Sequence, residues 1–483
     1  MRSGGETSAV DSTNDWISNV GPLLGGRLVV ALFGWTGTII IARTLDQATF
    51  GKFTFVFGLL GMMMVVTDMG LGRVAIRGVL PDAVEPDRFA GGYVALRSIL
   101  GLAGYLLAVG ITVALDYPDD VIGATALAGL VVVVATVSHA HEIVFQAHLR
   151  MQMVAVSMMI GRLGQLALVI LVALRGGSLI AFVVPAIVAE LVIVGIKIPY
   201  AHRLQSIRYS LRPRQWSAML REALPLSIGF ALATLAFRID VVMLSRLDDF
   251  VAVGIYEIAF KFADVLHFVA LSISAPILTV LVKAWPDDPT LVKETLERAG
   301  AFLALLGGGL ISFFLLFAGP TIELLYGTSF APADDAARLL VFGEVLSMFS
   351  VLGVTALTAM DRYRLYPVIA LAGLTLNVVA NLWAIPRWSF DGAAAVTVVT
   401  EGLVFVSVIV LLARRPGLDR PRLGFVGHAV LASAGAIVIG WSAGLVLPWM
   451  VAATLSGAAY LTGCAVTGLL GSSGIVELLR RSA

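Results

Sequence analysis

The chain has 483 residues, of which 59% are hydrophobic and only 13% are charged, and its mean hydropathy is +0.94. Soluble globular chains carry roughly 25% charged residues, so this composition excludes an ordinary soluble protein. A net charge of +1 gives no global field for nucleic acid, and a single cysteine, Cys464, excludes an intrachain disulfide or a cysteine-ligated metal.

Apolar runs of membrane-spanning length follow one another along the chain. A spanning helix needs about 20 mostly apolar residues. The opening segment MRSGGETSAVDSTNDW lacks the basic and apolar regions of a cleaved signal peptide, so we expect the first run to stay in the mature protein. The sequence therefore predicts an all-α polytopic membrane protein with about fourteen spans, near 17–43, 51–72, 92–115, 120–146, 153–174, 178–199, 223–246, 251–284, 299–325, 335–360, 365–386, 391–413, 424–447 and 449–470.

The Lys and Arg residues of the loops predict the orientation of these spans, because basic loops stay in the cytoplasm. The loop between spans six and seven, the loop between spans twelve and thirteen, and the C-terminal tail fall on one side. They hold Lys197, Arg203, Arg208, Arg212, Arg214, Arg221, Arg414, Arg415, Arg420, Arg422, Arg480 and Arg481. The opposite side carries acidic loops, such as the one with Asp116, Asp119 and Asp120. We therefore expect both termini in the cytoplasm.

A repeat of about 200 residues relates the two halves of the chain. The matched pairs are Pro22 with Pro225, Leu45-Asp46 with Leu247-Asp248, Gly51 with Gly254, and Phe53 with Tyr256. A chance likeness between short helical turns is the alternative. Parallel repeats are a standard transporter arrangement, with the substrate site between the halves.

The repeat predicts four segments along the chain. Residues 1–200 form an N-terminal lobe of spans one to six, and residues 201–222 form a basic cytoplasmic linker. Residues 223–413 form a C-terminal lobe of spans seven to twelve, and residues 414–483 hold spans thirteen and fourteen with a cytoplasmic tail.

Five basic residues within the spans are candidates for substrate binding. An ionised side chain in hydrocarbon is costly, so it faces a wet cavity or a partner. Arginine suits phosphate because its planar fork donates in pairs, whereas lysine acts as a point charge. The candidates are Arg27, Arg97, Arg162, Arg238 and Lys261.

Ion pairing between helices is the alternative interpretation of these basic residues. Lys261 has Glu257 and Asp264 at helical spacing, and Asp240 closely follows Arg238. Arg97 lies near a span end, where its side chain could reach the headgroups instead.

Acidic residues within the spans are candidates for coupling to H⁺ or Na⁺, because burial favours the protonated or cation-bound carboxyl. The candidates are Asp68, Glu190, Asp240, Asp264 and Glu344, and Glu142 and Glu401 also lie within spans. Helix caps and salt-bridge partners are the alternative. His139, Glu142 and Gln146 share a face of span four, which indicates a polar helix contact. We expect no metal site and no bound cofactor.

Four segments carry a family resemblance. They are IARTLDQATFGKFTF from Ile41, VTDMGLGRVAIR from Val66, RIDVVMLSRLDDFVAVGIYEIAFKFAD from Arg238, and NLWAIPRWSFDGAAAVTVVTE from Asn381. Each is short, but together they follow family order over about 360 residues. They resemble the polysaccharide transporter (Wzx-type oligosaccharide flippase) family of the multidrug/oligosaccharidyl-lipid/polysaccharide exporter superfamily.

The resemblance implies two six-helix lobes followed by two C-terminal helices, alternating access, and a polyprenyl-diphosphate-linked oligosaccharide as cargo. It implies a flippase and not an enzyme, in the bacterial plasma membrane, serving lipopolysaccharide or exopolysaccharide synthesis. Membrane lipids, a polysaccharide polymerase and glycosyltransferases would be its partners, and nucleic acid would not. Arg27 and Lys261 fit the basic cavity that is usual in this family.

Three alternative functions remain open from the sequence. A lipid II flippase would differ mainly in cargo. A cation-coupled drug antiporter of the same superfamily should have an acidic and aromatic chamber. A membrane glycosyltransferase or polymerase usually needs a long exterior loop, and the predicted loops do not exceed about 25 residues.

Overall fold

The computed structural model describes residues 32–68, 70–80, 82–360, 366–414 and 424–473, and the regular structure in these ranges is helical. Eleven candidate membrane spans lie among them, judged by helix length and composition. The helices are α1 (described over residues 32–44), α2 (Gln47–Asp68), α3 (Leu71–Val79), α4 (Pro86–Ala114), α5 (Asp119–Ala147), α6 (Met151–Leu174), α7 (Leu179–Leu204), α8 (Pro213–Leu247), α9 (Phe250–Ala284), α10 (Pro289–Tyr326), a 3-10 helix (Thr328–Ala333), α11 (Asp334–Ala359), α12 (Tyr366–Ala413), α13 (Gly424–Gly444), α14 (Trp449–Val466) and α15 (Leu469–Ser472).

The predicted all-α polytopic fold is confirmed, and each predicted span overlaps a helix. The eleventh and twelfth predicted spans lie on either side of a break within Tyr366–Ala413 (α12), where Ser389 adopts the non-helical angles φ 52° and ψ −135°. Pro386, three residues earlier, weakens the helix there because it cannot donate a backbone hydrogen bond. The matched repeat position Pro22 and the candidate Arg27 lie outside the described residues.

The second span is predicted near 51–72, and α2 ends at Asp68, a few residues before the predicted end. Gly70 adopts a left-handed conformation, with φ 61° and ψ 14°, and interrupts the helix between α2 and α3. The short α3 is amphipathic, since Leu71, Ala75 and Val79 are buried whereas Arg77 is exposed. An apolar count over the whole segment could not separate these two helices.

The corresponding turns of the two halves, before α2 and before α9, are each capped by an aspartate. In the second half the capping aspartate lies one residue after the predicted match. Asp46 accepts hydrogen bonds from the Thr49 hydroxyl at 2.6 Å and from the Thr49 backbone N–H at 3.1 Å, and these two bonds, the hydroxyl first, lower the pKa of Asp46. In the second half the capping residue is Asp249, which accepts from the Ala252 backbone at 2.8 Å. Asp249 precedes Gly254 by the same five residues by which Asp46 precedes Gly51, so Asp249 and not Asp248 is the structural counterpart of Asp46.

The chain forms two compact units, unit 1 over Met1–Ala231 and unit 2 over Leu232–Ala483. Within unit 1, α5 packs against α4 and α7, and α6 packs against α7. Within unit 2, α11 packs against α9 and α12, while α13 and α14 pack against each other and against α10. The division into segments at residues 200, 222 and 413 stays a prediction.

The connector, residues 205–212 between α7 and α8, is packed against the start of α4. The Arg208 backbone N–H donates to the Asp87 carbonyl at 3.1 Å, and the Trp216 indole N–H of α8 donates to the Gly92 carbonyl at 2.8 Å. Gly91 permits this approach, because a Cβ there would lie 1.9 Å from the Arg208 carbonyl oxygen. Residues of the segment predicted as a linker therefore contact α4 of unit 1.

Side chains also hold the connector in place. The Tyr209 hydroxyl lies 3.1 Å from His141 Nε2 and 3.2 Å from His202 Nε2. Arg212 donates to Glu85 at 3.1 Å, and this hydrogen bond is the main reason that the Glu85 pKa lies below its usual value. Glu85 therefore stays ionised, and paired with Arg212, below the pH at which a free glutamate takes up a proton.

Gly91→Ala is expected to lower the thermal unfolding midpoint of the purified protein. The added Cβ would displace the connector, and such overpacking typically costs about 1–3 kcal/mol. Gly110→Ala on the same helix is the matched control, because a Cβ there meets no heavy atom within 4 Å. Equal midpoints for the two variants would show that the connector is not held against α4.

Candidate functional site

A cavity of about 420 Å³ that is open to the surface and has both polar and apolar lining lies in unit 1, between α2, α3, α4 and α5. We call it the unit 1 cavity. Its charged lining residues are Asp68, Arg97 and Glu142, and its neutral polar lining includes Tyr93, Thr136, His139 and Gln146. The cavity therefore brings together the substrate candidate Arg97, the coupling candidate Asp68, and the polar face predicted on the fourth span.

Arg97 is buried, with 2% of its surface exposed, although it is a charged residue within a predicted span. Its Nη1 donates to Asp68 Oδ1 at 2.6 Å and to the Thr67 carbonyl oxygen at 3.0 Å. The alternative in which Arg97 reaches the headgroups is therefore wrong. The carboxylate of Asp68, at the end of α2, stabilises the buried guanidinium charge of Arg97, which would be costly without a partner.

Lys197 and Glu142 form a second pair in unit 1, from α7 and α5. Lys197 Nζ donates to Glu142, and only 1% of Lys197 is exposed. Its assignment to the basic cytoplasmic loop is wrong, because α7 continues to Leu204 and this partner stabilises the ammonium group inside the unit.

Arg162 and Glu190 form a third pair in unit 1, from α6 and α7. Arg162 donates to Glu190 at 2.8 Å and to Gln165 at 2.7 Å. Glu190 is buried and Arg162 is partly exposed. The substrate candidate Arg162 and the coupling candidate Glu190 thus occupy one contact.

Unit 2 contains a network of two basic and two acidic residues from α8 and α9. Arg238 donates to Glu257 at 3.2 Å and to Asp264 at 2.9 Å. Lys261 lies 3.8 Å from Glu257 and 3.6 Å from Asp264. The helical face predicted for Glu257, Lys261 and Asp264 is confirmed, and Arg238 pairs with it instead of with Asp240.

Two further carboxylates of unit 2 have no arginine or lysine within salt-bridge distance among the described residues. Asp240 is buried and accepts a hydrogen bond from the Tyr256 hydroxyl. Glu344 of α11 lies 2.9 Å from Nδ1 of His267 on α9, and it is also buried. Together with Glu257, Asp264 and Glu401, they make five carboxylates of unit 2, and among the described residues only two Arg or Lys side chains, Arg238 and Lys261, contact any of them.

The charges of the described basic candidates are therefore compensated within each unit. Arg97, Arg162, Arg238 and Lys261 each contact a carboxylate, and Arg27 lies outside the described residues. An anionic substrate would have to replace a carboxylate at one of these side chains. The roles of the substrate and coupling candidates stay predictions.

The contacts that join distant helices are not predicted by the sequence. Lys197 and Glu142 are 55 residues apart, and His267 and Glu344 are 77 residues apart. Each of these residues is noticeable in the sequence, because an ionisable residue in an apolar run is unusual. Nothing in the sequence identifies its partner. Within the described part of the chain there is no group of three or more His, Cys, Asp or Glu side chains suited to hold a metal ion.

Two family models match the sequence. The model described as "Polysaccharide biosynthesis protein" matches residues 17–282, more than half of the chain. The model described as "MatE" matches residues 225–383.

Two curated relatives match parts of the chain. A capsular polysaccharide biosynthesis protein, CapF of Staphylococcus aureus, is 24% identical over 185 residues, which cover 38% of this chain and 47% of the relative. An uncharacterized membrane protein of Methanocaldococcus jannaschii is 22% identical over 173 residues, which cover 35% of this chain and 34% of the relative. The matches thus span less than half of the length of either relative.

Solved transporters share the fold. The lipid II flippase MurJ, in an inward closed conformation, superposes with a TM-score of 0.73 at 12% identity, covering 91% of this chain and 97% of MurJ. An inward-facing multidrug resistance MATE family transporter of the MOP superfamily superposes with a TM-score of 0.67 at 13% identity, covering 79% of this chain and 93% of the transporter.

Proposed function

This chain belongs to the polysaccharide biosynthesis protein family, a family of MOP-superfamily membrane transporters, and from that membership we propose that it flips a lipid-linked oligosaccharide. The cargo would be a polyprenyl-diphosphate-linked glycan, carried from the cytoplasmic to the outer leaflet of a bacterial plasma membrane. A glycosyltransferase would supply it, and a polymerase would use it for cell-surface polysaccharide. The family match over residues 17–282 carries this proposal.

The polar interior of each unit supports a cargo with a large polar headgroup. Sugars and a diphosphate cannot cross about 30 Å of hydrocarbon without polar groups that replace their hydration. Arg238 and Lys261 share Glu257 and Asp264 in unit 2, so a diphosphate would bind by displacing a carboxylate from Arg238 or Lys261. Binding of this kind would favour one state of an alternating-access cycle, because the ion pairs would differ between the states.

The surplus carboxylates of unit 2 support coupling to a proton or a sodium ion. Asp240, Asp264 and Glu344 are the candidates there, and Asp68 and Glu190 are the candidates in unit 1. A carboxylate displaced by the diphosphate needs a new positive partner, since an unpaired buried charge is costly. Uptake of H⁺ or Na⁺ at that moment would link the ion gradient to transport.

A cation-coupled drug antiporter is the second candidate function. The carboxylate surplus of unit 2 and the match of residues 225–383 to the MatE model favour it. The paired arginines argue against an antiporter, because a cationic drug would meet Arg97, Arg162 and Arg238 in the interiors of the two units.

Reconstituted liposomes provide the direct test. We expect the purified protein to expose a fluorescent polyprenyl-diphosphate saccharide to an outside-only quencher faster than protein-free liposomes do. Lys261→Ala should slow the exchange by about tenfold, which is the cost of losing one charge-assisted contact. A proton or sodium gradient across the vesicles should change the wild-type rate if coupling operates.

The same vesicles distinguish the alternatives. Transport of a cationic dye without lipid exchange would overturn the flippase proposal in favour of the antiporter. Lipid exchange that survives Lys261→Ala unchanged would keep the flippase and remove Lys261 from its substrate site.

A further inference from the structure

Two tryptophans and an arginine form an exposed cluster just before the break in α12. The Trp383 and Trp388 rings meet edge to face with their centroids 4.9 Å apart, and the two residues are 54% and 53% exposed. The guanidinium of Arg387 lies over the Trp383 ring, 4.6 Å from its centroid, and donates to the Trp383 carbonyl at 2.9 Å. These contacts hold an exposed cation in one position on the surface of unit 2.

The cluster stands at the end of an apolar stripe on α12. Four apolar residues on one face of this helix are each at least half exposed: Val368, Leu371, Val379 and Leu382. Such a stripe on a helix of spanning length faces hydrocarbon. Arg387 follows Tyr366, the first residue of α12, by about six turns or roughly 31 Å, which matches the hydrocarbon thickness of about 30 Å. The cluster therefore lies at the level of the lipid headgroups, on the predicted exterior side.

Arg387 has no carboxylate within salt-bridge distance among the described residues, unlike the basic candidates inside the two units. Asp391, four residues later, lies beyond the break and is not within that distance. Asp248, in the turn before α9, accepts from the Ser389 hydroxyl instead. Of the five N–H groups of Arg387, only one donates to a described residue, so the others are available to an anion.

We propose that Arg387, Trp383 and Trp388 bind the phosphate of an anionic membrane phospholipid. The planar guanidinium can donate two N–H groups to phosphate oxygens, and indole rings favour the headgroup level, where their N–H groups also find acceptors. An anionic headgroup fits better than a zwitterionic one, because the cluster supplies a cation but no carboxylate for an amine. The bound headgroup would hold the break in α12 at the membrane surface. This inference concerns the surrounding lipid and does not depend on the proposed cargo.

Native mass spectrometry of the full-length protein in detergent tests this site. The probes are phosphatidylglycerol and phosphatidylcholine with the same acyl chains, and we expect wild type to bind phosphatidylglycerol more tightly. Arg387→Gln should weaken phosphatidylglycerol binding by about tenfold, since one charge-assisted contact is lost. Trp383→Leu keeps an apolar side chain but removes the ring below the guanidinium, and should weaken binding by about two- to fivefold.

Arg338→Gln is the matched control. It removes a cation from the same predicted side of unit 2, but Arg338 is already paired with Asp334 and Asp335, so phosphatidylglycerol binding should stay at the wild-type level. Arg387→Lys keeps the charge without the fork and should bind with intermediate affinity. Because Arg387 is exposed, the unfolding midpoint of Arg387→Gln without added lipid should equal that of wild type.

Three results would overturn the phospholipid site. The first is unchanged phosphatidylglycerol binding by Arg387→Gln, and the second is an equal loss in Arg338→Gln, which would indicate a general effect of surface charge. The third is weaker binding of a polyprenyl diphosphate by Arg387→Gln with phosphatidylglycerol binding unchanged, which would assign Arg387 to the cargo instead.

Discussion

Replacing Arg238 with methionine is expected to slow lipid exchange in liposomes by about tenfold or more and to destabilise the protein by about 3 kcal/mol. Arg238 contacts Glu257 and Asp264 from a neighbouring helix, and Glu257 is only 2% exposed. Methionine would preserve most of the side-chain volume and remove the charge. The remaining cation, Lys261, lies 3.6 to 3.8 Å from these carboxylates and compensates them poorly.

The chain provides a matched control in Arg338, which also bridges two carboxylates, Asp334 and Asp335. That pair lies at the start of α11, where Asp335 is largely exposed, so Arg338→Met should cost no more than about 1 kcal/mol. Arg238→Lys separates charge from geometry, because lysine cannot donate to both carboxylates through a planar fork. Equal unfolding midpoints for Arg238→Met and Arg338→Met would show that the network contributes nothing beyond a surface ion pair.

The second large effect is expected at the pair formed by Glu142 and Lys197, and it should be asymmetric. Glu142→Gln leaves an ammonium group that is 1% exposed without a carboxylate, which should cost about 3–5 kcal/mol. Lys197→Met leaves Glu142, whose side chain is 26% exposed and lines the unit 1 cavity, where water can solvate it. We therefore expect the lower unfolding midpoint for Glu142→Gln.

The double variant Glu142→Leu with Lys197→Met completes this test. Removing both charges eliminates the unpaired group, so its unfolding midpoint should recover above that of Glu142→Gln. Midpoints measured at one scan rate in one detergent make the comparison valid even if unfolding is irreversible. A double variant as unstable as the worse single variant would indicate that Glu142 and Lys197 act through separate contacts.

Apolar run length predicted the membrane helices well, because hydrocarbon leaves a backbone no partner except its own carbonyls. The predicted span 251–284 became α9, Phe250–Ala284, even though Pro276 lies inside it. The break at Gly70 was missed, since one glycine between two apolar segments changes the chain direction without changing composition. The repeat matches Asp46 with Asp248, one residue out of register, because the sequence does not show which aspartate caps the helix. The structure shows that Asp249 does.

The candidate site was predicted in part. Helical spacing placed Glu257, Lys261 and Asp264 on one face, because residues three and four apart are neighbours on a helix. It did not predict that Arg238 would join them or that Arg97 would be buried against Asp68. The predicted basic lining therefore consists, among the described residues, of arginines and lysines already paired with carboxylates.

The sequence by itself determined the membrane-spanning helical architecture and the family membership, because both follow from local composition and short motifs read in chain order. Only the tertiary structure decided which charges meet. Lys197 contacts Glu142 because of the way α7 packs against α5, and His267 contacts Glu344 because of the way α11 packs against α9. The orientation of two packed helices is set by side chains along their whole length. Helical periodicity predicts which residues share a face of one helix, but it does not predict which face of the neighbouring helix packs against them.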